Sequence, residues 1–181
     1  MRMQHIGLLS FTLLLMGLAF TAIKLPGGLG KTFSQRVAGN RAAEVSYSLL
    51  FIVALPLLYV FFALWFVPTY SLPSIFRVFA AVSVVFQVVC TWVPERGGTM
   101  TIIHRILTGI SGVALLPMVV IIANTQAIPT GLRYVAGVAF AAMLVLLGIA
   151  LVKQKGFRYA LLLQIGYYAL FFGVVLSITY T

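Results

Sequence analysis

Apolar residues fill six runs separated by short polar breaks, at about 6–23, 46–67, 75–93, 101–123, 132–152 and 157–179. Each run approaches the roughly 20 residues a helix needs to cross the hydrocarbon core of a bilayer. The pattern predicts an all-α, polytopic integral membrane protein of about six transmembrane helices in a compact bundle, one domain over residues 1–181. The first run begins almost at the N-terminus, yet only Arg2 precedes it and Lys24, Leu25 and Pro26 follow without a small-residue cleavage pattern. It is read as a retained helix, not a removed signal. Pro56 lies inside the second run and should kink it, and Pro117 lies inside the fourth.

The polar breaks are unequal. Residues 24–45 form the only long one, with Lys24, Lys31, Arg36 and Arg41 spaced among glycines 27, 28, 30 and 39, which predicts a loop with one interfacial turn. Asn40 is placed to cap the second helix and Glu44 to sit near the positive end of its dipole. The break within Cys90 to Gly112 is different in kind: Pro94, Gly97 and Gly98 predict a tight hairpin between two helices. It contains Glu95, one of only two carboxylates, and His104, one of only two histidines.

Composition sharpens the class. With 62% hydrophobic and 8% charged residues and a mean hydropathy of +1.14, the chain has too little polar surface to cover itself in water. A net charge of +10 would suit nucleic acid, but the basic residues stand singly at the ends of apolar runs, so no nucleic-acid partner is expected. Lys24, Lys31, Arg36, Arg41, Arg96, Lys153 and Lys155 fall in the odd-numbered loops, with Arg105 and Arg158 close by, against Arg2, Arg77 and Arg133 on the other side. That asymmetry predicts a cell (plasma or inner) membrane protein with both termini outside and the 90–112 hairpin in the cytoplasm. Arginines recur at helix starts, at Arg77, Arg105, Arg133 and Arg158, where snorkelling to phosphate explains them better than an internal repeat.

Candidate chemistry is sparse. Ser83, Gln87 and Cys90 share one face of the third helix, and His104, Thr108 and Ser111 share one face of the fourth. Across a short hairpin these stripes could face each other, with Gln164 and Tyr168 of the last helix at similar depth and Glu95, Arg96 and Arg105 at the mouth. The same residues serve equally as interhelical hydrogen bonds worth about 1 kcal/mol each. His104 beside Glu95 would make a general base or a switch; the plainer alternative is that Glu95 pairs with Arg96 or Arg105 and fixes the turn. A single cysteine excludes an internal disulfide, and the absence of aspartate excludes an aspartyl site. The two histidines, His5 and His104, are expected on opposite faces, so no haem, metal or other cofactor is expected.

A hydrophobic helix ending in Trp92, Val93 and Pro94, a short glycine turn, and His104-Arg105 opening the next helix resemble a family of uncharacterised bacterial six-helix membrane proteins. That family is itself similar to the autophagy-modulator (DRAM) type of eukaryotic membrane proteins. The resemblance implies a noncatalytic protein tied to lipid organisation, with His104 the position matching the family pattern, and a cytoplasmic N-terminus where the charge count places it outside.

The leading expectation is a noncatalytic multi-pass protein that contacts anionic lipid headgroups or a membrane-protein partner through its basic loops and the 90–112 hairpin. Gln87, Glu95, Arg96, His104, Arg105, Thr108 and Gln164 are the candidate binding residues. The alternatives are a small transporter or channel with a polar path past Gln87, Thr108 and Gln164, and an intramembrane enzyme using His104 and Glu95.

Overall fold

A computed structural model describes residues 3–152 and 158–181, all-helical and without a strand among them. The elements are α1 (Gln4–Lys24), α2 (Phe33–Val37), α3 (Arg41–Thr69), α4 (Ile75–Thr91), α5 (Gly98–Asn124), α6 (Thr130–Val152) and α7 (Ala160–Thr179). Among the described residues, five helices, α1, α3, α5, α6 and α7, are long and apolar enough to cross a membrane. The remaining apolar helix, α4, has 17 residues. At 1.5 Å per residue it is about 26 Å long, slightly short of a typical hydrocarbon core. Arg2, Lys153, Gln154, Lys155 and the expected start of the last helix at Phe157 lie outside the described residues.

Some helix ends differ from the hydropathy boundaries, and at two of them a side-chain cap sets the start. Asn40 accepts a hydrogen bond from the Ala43 backbone N–H at 3.1 Å, so α3 starts at Arg41 instead of about 46. Within the expected loop, Thr32 and Gln35 form a reciprocal capping box that opens the short helix α2. Gly97 and Gly98, with φ of 102° and 58°, turn the chain so that α5 can begin three residues before the expected 101. α3 continues through Pro56 and contains a π turn at Phe62–Phe66.

The helices pack in succession: α1 on α3, α3 on α4, α4 on α5, α5 on α6 and α6 on α7, with α7 also touching α1 and α5. α1 and α3 approach each other closely. Gly7, Ser10, Leu14 and Thr21 are buried at heptad spacing along α1, and Gly17 continues the same stripe. A Cβ at Gly7 would meet the Phe61 ring at 2.7 Å, and one at Gly17 would meet the Leu50 side chain at 2.2 Å. Between them the Ser10 hydroxyl donates to the Ala54 carbonyl at 2.7 Å. Small residues let the two backbones approach, as membrane helices without a hydrophobic drive between them require. α6 is the outlying helix, with only Ala136, Ala139 and Met143 buried.

Connectivity gathers the ends into two groups. One end collects the C-terminus of α1, α2, the N-terminus of α3, the α4–α5 turn and the N-terminus of α7, tied by bonds such as Leu161 N–H to Leu29 C=O at 2.9 Å. The other collects the start of α1, the α3–α4 and α5–α6 turns and the end of α7, where the Tyr70 hydroxyl donates to the Ile178 carbonyl at 2.6 Å.

Candidate functional site

The first of these ends carries the polar chemistry, and the loop between α1 and α3 is its centre. Arg36 is buried there at 8% exposure with no carboxylate beside it. Its guanidinium donates instead to four backbone carbonyls: Ala22, Leu25 and Gly28 at 3.0 Å each, and Lys31 at 3.3 Å. Those carbonyls belong to the last turn of α1 and the chain just beyond it, where backbone oxygens lack helical partners and the dipole is negative. A cation at this point both caps α1 and folds the loop back onto it.

Glu95 fastens the loop to the α4–α5 turn. Its side chain is 5% exposed and accepts from Ser34 Oγ at 3.0 Å, Gln35 Nε2 at 2.9 Å and Arg105 Nε at 3.2 Å, with Thr32 Oγ1 at 3.5 Å. Gln164 Oε1 accepts from the Phe33 backbone N–H at 3.3 Å, which fixes α7 to the same loop. The second carboxylate acts in parallel: Glu44 Oε1 accepts from Gly39 N–H at 2.9 Å and from Arg96 Nε at 3.1 Å. The expected trio of Glu95, Arg96 and Arg105 is therefore divided. Arg105 pairs with Glu95, while Arg96, 53% exposed, pairs with Glu44.

One turn deeper, His104 Nδ1 lies 2.6 Å from the Val93 carbonyl, which requires Nδ1 to carry the proton and donate. The Cys90 sulfur sits 3.4 Å from Nδ1 and 3.5 Å from Nε2, and 2.9 Å from Thr108 Oγ1. No hydrogen bond joins His104 to Glu95 among the described residues; the carboxylate is turned to the loop and the imidazole to the end of α4. An acid–base pair is not assembled.

The stripes on α4 and α5 do face each other, as the hairpin requires. Ser111 Oγ donates to the Ser83 carbonyl at 2.9 Å, and Tyr168 OH donates to Gln87 Oε1 at 3.3 Å. Gln87, Thr108 and Gln164 nevertheless enter three separate bonds and do not line one passage. The interior space beside Gln87 has a volume of about 40 Å³, enough for a few waters and nothing larger, and most of its walls are Leu and Phe.

A larger space opens at the side of the bundle. A groove of about 370 Å³ runs between the first turns of α3 and the α4–α5 turn, with Val45, Ser48, Leu49, Trp92, Pro94 and His104 along it. Val45, Leu49 and Trp92 are 51%, 55% and 69% exposed, so the groove is open along its apolar edge.

Around this end stand the exposed cations Lys24, Lys31, Arg41, Arg96, Arg105 and Arg158, the last stacked 4.5 Å over the Tyr159 ring. At the opposite end the cations of the described residues are Arg77 and Arg133, both half-buried, and Arg133 Nε donates to the Ala123 carbonyl at 3.1 Å. Among the described residues no group of three His, Cys, Asp or Glu side chains converges to hold a metal ion.

No family model, curated protein or solved structure matches the chain. Helices of this length and hydropathy mark a membrane protein. Of the residues that build the polar end, Thr32, Ser34, Gln35 and Arg36 escape the periodicity argument because they lie in a loop. Thr32-Phe33-Ser34-Gln35 does carry the capping-box pattern, which would have signalled an ordered turn there.

Proposed function

We propose that this is a noncatalytic multi-pass membrane protein whose basic end contacts anionic lipid headgroups. Its place is then the plasma or inner membrane, with the 90–112 hairpin in the cytoplasm and both termini outside. The observation that carries the reading is the division of charge: six exposed cations surround one end, and only Arg96 and Arg105 among them pair with its two carboxylates, which leaves Lys24, Lys31, Arg41 and Arg158 in excess. Positive charge therefore faces outward from the end where an anionic leaflet would lie, and each such residue contributes about 1 kcal/mol near that surface.

Transport and catalysis have less support. A space of about 40 Å³ beside Gln87 offers no route for a solute, and His104 donates to a backbone carbonyl instead of working with Glu95.

The test is lipid retention. Protein purified from mixed bilayers should keep anionic phospholipid over zwitterionic by at least ~5-fold, the factor expected from one well-placed cation. The preference should shrink as salt screens the headgroups. Equal retention of both lipids at low salt would refute the reading.

A further inference from the structure

The groove beside α3 combines features that the lipid reading does not by itself require. Its volume of about 370 Å³ lies within the range of small-molecule sites, about 300–1,000 Å³. Its edge is open toward the bundle's outer surface through Val45, Leu49 and Trp92. Glu44 and Glu95 also line it, at the basic end, but each carboxylate is already neutralised, by Arg96 and Arg105 respectively. Arg41 stands exposed one turn before Val45, and Arg41, Val45 and Ser48 follow one another at i, i+4 and i+7 on one face of α3. A cation therefore stands one turn before the groove on the face of α3 that Val45 and Ser48 share, on the side of the basic end.

That order of chemistry, cation above and apolar slot below, matches one molecule of an anionic phospholipid. We infer that the groove is a discrete site for such a lipid, with one acyl chain lying between Val45, Leu49 and Trp92 and the phosphate at Arg41. The inference rests on the anionic-headgroup reading and goes beyond it: a diffuse basic surface attracts many lipids loosely, whereas this groove holds one in register. Ser48 supports the slot, because its hydroxyl donates to the Thr91 carbonyl at 3.1 Å and keeps α3 and α4 at the spacing that leaves the groove open.

The experiment is photocrosslinking in proteoliposomes. The full chain is reconstituted in zwitterionic phospholipid doped with anionic phospholipid that carries a diazirine midway along one acyl chain, and the adducts are mapped by mass spectrometry. The site predicts adducts concentrated on residues 45–52 and 91–94. Excess unlabelled anionic lipid should suppress them, and the same excess of zwitterionic lipid should not. Arg41→Gln should lower them about 5-fold, as expected for loss of one interfacial cation, and Val45→Phe, which narrows an exposed edge without removing a hydrogen bond, should lower them as well.

Adducts spread evenly over the exposed faces of α6 and α7, or insensitive to anionic competitor, would overturn the site. If bulk retention still favours anionic lipid in that case, only the groove inference falls. If retention shows no preference either, the functional reading falls with it.

Discussion

The two ends of the bundle solve the same packing problem with opposite chemistry. At the basic end, Arg36, Glu95, Glu44 and Gln164 tie loop, turn and helix termini together with side-chain hydrogen bonds. Toward the other end, Phe61, Phe62, Phe66 and Phe76 are fully buried against one another, with ring centroids 5.3 to 5.9 Å apart, and Tyr70 closes the cluster through its bond to Ile178. Edge-on and tilted rings fill space closely and need no polar partner. The aromatic end is set by shape, the basic end by directed bonds to backbone and carboxylate. A directed end can carry a recognition surface, because its charges are positioned without being consumed by packing.

The comparison breaks most readily at the aromatic end. Phe66→Ala should destabilise the bundle by about 3 kcal/mol, since a buried ring is replaced by a cavity that its neighbours fill only in part. Unfolding of the detergent-solubilised variant, followed by helical circular dichroism, measures this, and the lipid preference of the variant that remains folded should match the parent. A change in lipid preference would mean that the two ends are coupled.

Glu95→Gln should have a smaller effect on global stability, about 2 kcal/mol. It removes the charge from a nearly buried acceptor of several bonds, but Arg105 on the other side is 44% exposed and can turn to water. Its effect should be local. Single cysteines placed at Gly28 or Gly39 in a Cys90→Ser background should label faster with a maleimide once Glu95 is changed, because the 25–40 loop loses its main tie to the α4–α5 turn. Unchanged labelling would show that Arg36 and the bonds to α7 hold the loop without Glu95.

Tyr70→Phe should be the mildest, about 1 kcal/mol, the worth of one interhelical hydrogen bond in a membrane protein. The ring stays in the cluster with Phe66, so shape should preserve most of that end. A loss several times larger, read in the same unfolding assay, would show that the aromatic end also depends on directed bonds and would erase the contrast.

Much of this molecule was legible from the order of its residues. Apolar runs far longer than a strand, in a chain with few charges, leave helices in lipid as the only way to satisfy the backbone, and the described residues are all-helical. The facing stripes Ser83, Gln87, Cys90 and His104, Thr108, Ser111 followed from helical periodicity and a short hairpin, and those stripes do meet across α4 and α5. The small residues Gly7, Ser10 and Gly17 of α1 were not singled out by that reading; their role shows only where Phe61 and Leu50 pack against them.

Partner choice was not legible in the same way. Glu95 had two arginines within reach along the chain, and periodicity gave no reason to prefer Arg105 over Arg96; the choice follows from Glu44, 52 residues from Arg96 in sequence, occupying Arg96. Arg36 looked like one more surface cation, and only the folding of its loop over the end of α1 turned it into a buried cap. The lateral groove is likewise absent from any local pattern, since its walls come from α2, the first turns of α3 and the α4–α5 turn. Hydropathy and periodicity determine which segments are helices and which face each presents, because those are properties of neighbouring residues. Which cation meets which carboxylate, and where space is left between helices, depends on chain segments far apart in sequence and is decided only when the helices pack.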